Sequence, residues 1–137
     1  MNGFACALNC MDGRVQMPVI KYMQKNFDVE FVDMVTRPGI NGILAKRTNL
    51  AGIERIKSNV LISVLNHGSK VVSIVGHAEC AGNPGDKEMH IRHLIDAKKT
   101  VESFGLPIHI PLLWIGNDWT TVQEIEIPKY DFSQIVL

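Results

Sequence analysis

The sequence is poor in cysteine and has no long apolar run. Its 137 residues include three cysteines, a number that is both small and odd for a disulfide framework. No apolar stretch approaches the roughly 18 residues that a membrane-spanning helix requires. The first apolar run has no basic region before it, so we expect no signal peptide. A reducing, cytoplasmic setting is therefore expected, and thiolates remain available there as metal ligands.

The sequence also lacks an excess of charge of one sign. Lysine plus arginine and aspartate plus glutamate number 14 each, so the formal net charge is zero. A protein that binds nucleic acid or a membrane surface needs a basic stripe against phosphate groups. We therefore predict neither nucleic acid nor membrane as a partner. No G-x-G-x-x-G pattern follows the first apolar run, which disfavours a dinucleotide site.

What the sequence does contain is an alternation of strand and helix patterns, without a linker or a repeat. Apolar and β-branched runs predict strands at residues 4–8, 29–35, 71–75 and 108–115. Helical spacing predicts helices that begin near Pro18, at Asn49 and after the turn at 83–86. This order predicts an α/β fold with a mostly parallel, doubly wound sheet of four or five strands flanked by helices. We expect one domain over residues 1–137.

Turn and breaker residues refine these boundaries. Pro-Gly and Asn-Gly pairs predict a loop over residues 36–42. Asn66-His67-Gly68 should end the second helix, with Gly68 in the left-handed conformation. Pro111 indicates that its strand is an edge strand or starts irregularly. Residues 122–127 fit either a fifth strand or an arm exchanged in a dimer, and residues 128–137 predict nothing.

Two short motifs follow predicted strands directly. Cys10-Met11-Asp12-Gly13-Arg14 comes after the first strand, and His77-Ala78-Glu79-Cys80 comes after the third. Doubly wound sheets place ligands at the carboxyl ends of strands, at the point where the strand order reverses. If the first and third strands are neighbours across that point, the two motifs meet there. The fold prediction and the motif prediction then support each other.

The residue types in these motifs suit a zinc site. Zinc prefers thiolate and imidazole ligands at about 2.0–2.3 Å, and catalytic sites keep a fourth position for water or substrate. Cys10, His77 and Cys80 provide three such ligands, and the bound water would ionise at modest pH. Asp12 can either accept a hydrogen bond from the resulting hydroxide or take the fourth position itself. Arg14 can hold Asp12 ionised and oriented through its planar fork.

Each motif taken alone has an ordinary structural explanation. Cys10 at the end of an apolar strand can be a small buried hydrophobe, and H-x-x-C by itself is a weak signal. Asp12 with Arg14 can be a surface ion pair of little energy. The order of both motifs at strand ends favours the metal site over these explanations.

Several further residues carry alternatives that the sequence leaves open. His90 and His93 lie three apart on a predicted helix, so they could shuttle protons, bind a second metal or be partly exposed polar residues. Glu79 could be a general acid or base, or a solvent-facing loop residue. Arg37 could orient a substrate anion or stabilise its loop. Cys6 is expected on the same strand face as Cys10, roughly 13 Å away, where it would be part of the core.

The two motifs resemble the signatures C-x-D-x-R and H-x-x-C of the β-class carbonic anhydrases. The strand and helix order agrees with that family over roughly residues 3–115, and residues 36–41 resemble its Arg-Asn-Ala-Gly loop. The resemblance implies zinc held by Cys10, His77 and Cys80, with Asp12 and Arg14 as an acid–arginine dyad. It also implies a homodimer or higher homo-oligomer, and reversible hydration of carbon dioxide to bicarbonate by zinc-bound hydroxide.

Two other functions are compatible with the same scaffold. A zinc hydrolase of a carbon dioxide analogue such as carbonyl sulfide would use the same hydroxide in a different cleft. A non-catalytic zinc-binding regulatory domain would keep the ligands, and Asp12 would then close the site. Direct measurement of carbon dioxide hydration and of sulfide release separates these possibilities.

Overall fold

A computed structural model describes residues 3–127 and shows a five-stranded sheet with helices on both faces. The strands are β1 (Phe4–Asn9), β2 (Phe31–Thr36), β3 (Val72–His77), β4 (Leu112–Ile115) and β5 (Val122–Glu124). The helices are α1 (Gln16–Phe27), α2 (Ile40–Lys46), α3 (Leu50–Leu61) and α4 (Lys87–Glu102), with a 3-10 turn at Gly13–Val15 and a π-helical turn at Ile62–Asn66. None of the helices in this part of the chain has the length and apolarity needed to cross a membrane.

The sheet has the strand order β2-β1-β3-β4-β5. The first four strands in that order are parallel, and β5 runs antiparallel to β4. The chain moves outward from β1 to β2, then returns to the other side of β1 for β3, so the order reverses between β1 and β3. The predicted mostly parallel, doubly wound sheet is confirmed, including the neighbouring first and third strands.

Alternate residues of the strands enter two separate apolar cores. On one face, Ala7 packs in a cluster with Met23 of α1. On the other face, Leu8 packs in a cluster that includes Leu44 of α2 and Leu94 of α4. All five side chains have no exposed surface. One helix therefore covers the first face, and α2, α3 and α4 cover the second.

The later strands settle two alternatives from the sequence. β4 begins immediately after Pro111, whose carbonyl accepts from the Ile74 N–H at 3.0 Å. β4 lies between β3 and β5, so Pro111 marks an irregular start and not an edge strand. Residues 122–124 form β5 within the same chain, which agrees with the fifth-strand prediction rather than the exchanged arm. Residues 128–137 lie outside the described part.

The predicted ends of the second long helix are also confirmed. The Asn49 side chain accepts a hydrogen bond from the Gly52 N–H at 2.9 Å, so Asn49 caps α3 as predicted. Gly68 has φ +74°, the left-handed conformation expected of it. The helix predicted between these residues consists of α3 and the π-helical turn that directly follows it.

The prediction of a loop over residues 36–42 was wrong at its end. Only residues 37–39 lie between β2 and α2, and Asn41 and Gly42 belong to the helix. Ile40, Asn41, Gly42, Leu44 and Ala45 are all buried. A short helix buried on most sides has no polar face, so it lacks the amphipathic period by which helices are recognised. The Asn-Gly pair then resembles a turn.

Two glycines allow the loop before α2 to approach the loop after β3. Gly39 has φ +59°, and a Cβ there would lie 2.5 Å from the Gly82 carbonyl carbon. A Cβ at Gly82 would lie 2.5 Å from the Pro38 carbonyl carbon. Neither backbone can move away like a flexible side chain. This approach fixes the segment that carries Cys80 against the segment that leads into α2.

We predict that Gly82→Ala lowers the free energy of unfolding by about 1–3 kcal/mol, because the added methyl group would overlap backbone atoms. Gly13→Ala is the matched control, since a Cβ at Gly13 meets no atom within 4 Å. Its effect should stay within about 0.5 kcal/mol. Urea denaturation of the two variants measures both values. Equal stabilities for the two variants would contradict the close packing of these loops.

Candidate metal centre

The two sequence motifs meet at the carboxyl ends of β1 and β3. Cys10 directly follows β1, and His77 is the last residue of β3. The metal-binding atoms of Cys10, His77 and Cys80 all lie within 4.8 Å of one another. All three side chains are buried, with 5%, 1% and 3% of their surface exposed. Parallel pairing of neighbouring strands thus brings Cys10 close to His77 and Cys80, which follow it by 67 and 70 positions in the sequence.

The turn after β1 is held by its own side chains. Asp12 caps the 3-10 turn, and its Oδ1 accepts from the Arg14 N–H at 2.9 Å. The Gln16 side-chain amide donates to the carbonyl oxygens of Cys10 at 2.7 Å and of Asp12 at 2.8 Å. The sequence did not reveal this role of Gln16, because an amide at a helix start is common. These bonds fix the direction in which Cys10 and Asp12 point.

The hydrogen bonds of His77 leave one ring nitrogen available. Its Nδ1 lies 2.7 Å from the Ala78 carbonyl oxygen. A carbonyl oxygen can only accept, so Nδ1 carries the proton and Nε2 has the free lone pair. Nε2 is buried and has no hydrogen-bond partner among the described residues. A buried imidazole nitrogen with a free lone pair and a backbone bond on the opposite nitrogen has the usual arrangement of a metal ligand.

The two thiols have the spacing that a shared ion requires. Cys10 Sγ and Cys80 Sγ are 3.9 Å apart. Zinc–sulfur bonds of about 2.3 Å in tetrahedral order hold two sulfurs about 3.8 Å apart. Two sulfurs and one imidazole nitrogen are the soft and borderline donors that zinc prefers. These residues therefore fit a zinc ion and leave a fourth ligand position open.

The environment of the thiols favours one thiolate even before a metal binds. The hydrogen bond from the Cys80 thiol lowers the pKa of Cys10, although burial opposes the charge. A further hydrogen bond comes from the Gly39 N–H, which lies 3.5 Å from Cys10 Sγ. The same contact with Cys10 raises the pKa of Cys80, because a second negative charge beside the first is unfavourable. One thiolate beside one thiol is therefore favoured over two thiolates.

Asp12 and Arg14 form a bidentate pair beside the ligand cluster. Arg14 Nε donates to Asp12 Oδ1 at 3.1 Å, and Nη2 donates to Oδ2 at 2.8 Å. These hydrogen bonds lower the pKa of Asp12 to about 2. Both carboxylate oxygens thus face the guanidinium, and Asp12 is not a member of the cluster of potential metal ligands found in residues 3–127. The predicted contact between the two residues is present.

The site also contains Trp119, which the sequence analysis did not single out. Its ring lies under the Arg14 guanidinium, with Cζ 3.9 Å from the ring centroid. The ring centroid is 6.2 Å from that of His77, in an edge-on arrangement. Trp119 lies between β4 and β5, far in sequence from both motifs. The loop begins beside the carboxyl end of β3, because Ile115 pairs with His77, but no local pattern indicates that Trp119 contacts Arg14.

Glu79 is oriented toward Arg14. Its backbone carbonyl oxygen lies 3.5 Å from Arg14 Nη2, and its carboxylate lies 3.8 Å from Arg14 Nη1. The Asn117 side-chain amide donates to the same carboxylate at 2.7 Å. Glu79 is exposed, which agrees with the solvent-facing alternative. Arg37 is half-buried, and its two suggested roles remain predictions.

His90 and His93 belong to a buried polar network on the other face of the sheet. Asn41 Nδ2 donates to His90 Nδ1 at 2.9 Å, and Asn83 Nδ2 donates to His93 Nδ1 at 2.9 Å. Asn83 also donates to Asn41 Oδ1 at 3.2 Å. His90 has no exposed surface, so its description as a partly exposed residue was wrong. The network joins α2 and α4 to the loop that carries Cys80.

The placement of Cys6 corrects a second detail. Cys6 packs in the core on the side of α2, α3 and α4, whereas Cys10 packs in the core on the side of α1. The expectation that both share one strand face was wrong, because β1 ends at Asn9 and the chain turns there. Cys6 is fully buried, so the expectation that it is a core residue is confirmed. Burial raises the pKa of its thiol to about 12.

Comparison with known proteins agrees with this geometry. Residues 1–126 match the family model described as "Putative carbonic anhydrase". A carbonic anhydrase structure from Streptococcus mutans is 16% identical, covers 88% of this chain and 81% of its own, and has a TM-score of 0.56. One from Sordaria macrospora, titled as tetrameric β-carbonic anhydrase, is 11% identical, covers 93% and 83%, and has a TM-score of 0.53. No curated protein matches the sequence significantly. The chain therefore belongs to the carbonic anhydrase family, as a divergent member of the β class.

Proposed function

We propose that the protein is a zinc-dependent carbonic anhydrase that catalyses the reversible hydration of carbon dioxide to bicarbonate. The observation that carries this proposal is the convergence of two thiols 3.9 Å apart and a buried, unpartnered imidazole nitrogen at the switch point of the sheet. A bidentate Asp12–Arg14 pair lies directly beside them. The family assignment supports the same reaction.

Cys10, His77 and Cys80 would hold the zinc ion. Zinc bound there would act as a Lewis acid that makes a water molecule nucleophilic near neutral pH. The Ala78 carbonyl oxygen would keep His77 in the tautomer whose Nε2 binds metal. The Gly39 N–H would stabilise the Cys10 thiolate by donating to its sulfur.

Asp12 would orient the attacking water. Its carboxylate accepts hydrogen bonds, and it lies two residues from Cys10, one of the potential ligands. Arg14 would keep that carboxylate turned away from the metal position by binding both of its oxygens. With Asp12 held in this way, the fourth ligand position remains available to water and substrate.

The size of the pKa shift supports an orienting role for Arg14 rather than a role in ionising Asp12. Arg14 lowers the pKa of Asp12 from an ordinary value of 3.8 to about 2. Either value leaves the carboxylate ionised at neutral pH, so losing Arg14 would not cost Asp12 its charge. What Arg14 contributes is the direction of the carboxylate, through a fork that fits both oxygens.

We also propose that the chain assembles as a homodimer or a higher homo-oligomer. Large apolar side chains are exposed on β2, which is an edge strand of the sheet, and on the π-helical turn, whose Ile62 lines a cavity together with β2. Phe31 is 48% exposed, Ile62 is 54% exposed and Leu65 is 70% exposed. Exposed apolar groups of this kind mark interaction surfaces, and the Sordaria macrospora relative is described as tetrameric.

The ligand assignment predicts which cysteines are needed for zinc. Cys10→Ser and Cys80→Ser should lose stoichiometric zinc and carbon dioxide hydration, because two ligands hold the ion much less tightly. Cys6→Ser is the matched control, since Cys6 packs on the other face of the sheet, and it should keep both. Elemental analysis and stopped-flow hydration between about pH 6.5 and pH 9 measure the outcome. A fully zinc-loaded Cys10→Ser or Cys80→Ser would contradict the assignment.

Wild-type protein in the same assay tests the reaction itself. Hydration far above the buffer rate by zinc-verified protein is the expected result. A zinc-loaded protein without that activity would refute the anhydrase, and sulfide release from carbonyl sulfide would then identify the hydrolase alternative. Inactivity toward both substrates would favour the regulatory domain.

The roles proposed for Asp12 and Arg14 predict losses of hydration activity that can be distinguished from each other. Asp12→Ala should retain zinc and lose hydration by roughly 100-fold or more, the range for positioned proton acceptors. Arg14→Leu should raise the pKa of Asp12 toward 3.8, yet its loss of activity should be constant from about pH 6 to about pH 9, where Asp12 stays ionised. Stopped-flow rates across this range check both statements. An Arg14→Leu loss that disappears as pH rises would show that ionisation, and not orientation, was affected.

The assembly proposal predicts a solution mass that is a multiple of the 15.3 kDa chain. Phe31→Glu and Leu65→Glu place charge in the exposed apolar surface and should shift the protein toward the monomer. Lys57→Glu is a charge-changing control on α3. Light scattering coupled to size-exclusion chromatography measures the mass. A wild-type monomer at concentrations where the protein is active would refute this assembly.

A further inference from the structure

Trp119 lies in a connection whose backbone is fixed by its own residues. The Asp118 carboxylate accepts from the N–H groups of Thr120 and Thr121 at 3.1 Å each, and from the Thr121 hydroxyl at 2.6 Å. The Trp119 N–H donates to the Gly116 carbonyl oxygen at 3.2 Å. Trp119 itself has φ +58°, an uncommon conformation for a bulky side chain. The turn therefore holds the indole in one place at a cost in backbone strain.

The indole lies at the edge of the candidate metal centre. The indole is half-buried and packs in the same apolar cluster as Cys10 and Cys80. Its ring contacts the Arg14 guanidinium at 3.9 Å and approaches the edge of His77 at 6.2 Å. One side chain from the β4–β5 connection thus adjoins residues of both motifs.

The contacts of Arg14 use different parts of its guanidinium. Its Nε–H and Nη2–H groups bind Asp12, while its central carbon lies over the indole ring. The two interactions therefore do not compete. An aromatic face attracts a guanidinium electrostatically and by stacking, so the indole restrains rotation of the guanidinium plane.

Restraint is needed because Arg14 has another carboxylate within reach. Glu79 Oε1 lies 3.8 Å from Arg14 Nη1. The Arg14 side chain is 43% exposed, so solvent allows it to move. A rotation that improved the contact with Glu79 would break the fork on Asp12. Contact with the indole favours the present position of the guanidinium over such a rotation.

We propose that Trp119 is a positioning residue for the dyad: its indole face holds the plane of Arg14, and Arg14 thereby holds Asp12 in its orientation. The proposal rests on the proposed function for its kinetic consequence, but the contact itself exists without substrate. It adds the β4–β5 connection to a site that both sequence motifs place at β1 and β3.

The first test observes Arg14 directly and needs neither substrate nor activity. In full-length ¹⁵N-labelled protein, the Arg14 Nε–Hε signal should be shifted by the indole ring current and have an order parameter of about 0.8, near that of rigid groups. In Trp119→Leu the ring-current shift should vanish and the order parameter should fall below about 0.6. A wild-type Arg14 signal without a ring-current shift would overturn the proposal, even if Trp119→Leu failed to fold. An equally ordered Arg14 in folded Trp119→Leu would also overturn it.

The second test measures turnover in the zinc-loaded protein. Trp119→Leu should lose roughly three- to tenfold in kcat, the effect expected from one cation–aromatic contact, with zinc content and KM unchanged. Trp119→Phe keeps an aromatic face and should recover most of the loss. Phe104→Leu removes the remote aromatic partner of Lys57 and is the matched control, with kcat and the Arg14 signal unchanged.

The outcomes separate this inference from the proposed function. An inactive wild-type protein whose Arg14 signal is shifted and ordered, and is released in Trp119→Leu, refutes the anhydrase and supports the positioning contact. An active wild-type protein in which Trp119→Leu has full kcat refutes the positioning role and supports the anhydrase. If Trp119→Phe is as impaired as Trp119→Leu, the aromatic face is not what matters, and the proposal fails.

Discussion

The parallel pairing of β1 with β3 is the contact on which the metal centre depends. Leu8 lies opposite Ile74 in this pairing, so the carboxyl ends of the two strands, at Asn9 and His77, lie at the same edge of the sheet. A shift of one residue would turn each strand's side chains to the opposite face of the sheet. The apolar residues of both cores forbid such a shift, because Ala7 and Leu8 are both fully buried, on opposite faces. Core packing thus sets the relative position of the potential zinc ligands.

Around that pairing, several contacts each fix the orientation of one ligand or one loop of the site. Gln16 holds the turn after β1, and the Ala78 carbonyl holds the His77 ring. The close approach of Gly39 and Gly82 holds the Cys80 loop and directs an N–H toward Cys10. Backbone and side-chain partners of this sort decide ligand orientation, which a list of ligands alone does not describe. The centre is therefore assembled by the whole carboxyl edge of the sheet.

The sequence predicted the parts of this arrangement that have a period or a motif. Strand and helix alternation predicted the sheet, and the two signatures predicted the meeting of Cys10, His77 and Cys80. The α2 helix was missed because its residues are buried on most sides and show no amphipathic stripe. Trp119 was missed for a different reason. The connection after β4 begins at the same edge of the sheet, because Ile115 pairs with His77. Which of its side chains contacts Arg14 depends on the turn at Asp118, and contacts between distant segments leave no local pattern. The burial of His90 likewise depends on α2, which was not predicted.

The separation of the ligands along the chain has a consequence for folding. Cys10 comes from the beginning of the chain, and His77 and Cys80 come from a segment that follows two crossover connections. In an unfolded chain Cys10 is far from His77 and Cys80, and the entropy of closing that long loop opposes their meeting. A ligand that binds the folded chain alone stabilises it by mass action. Affinity for a zinc ion at these ligands and stability of the sheet would then be one linked equilibrium, so a substitution that loosens β1 or β3 would weaken zinc binding without touching a ligand.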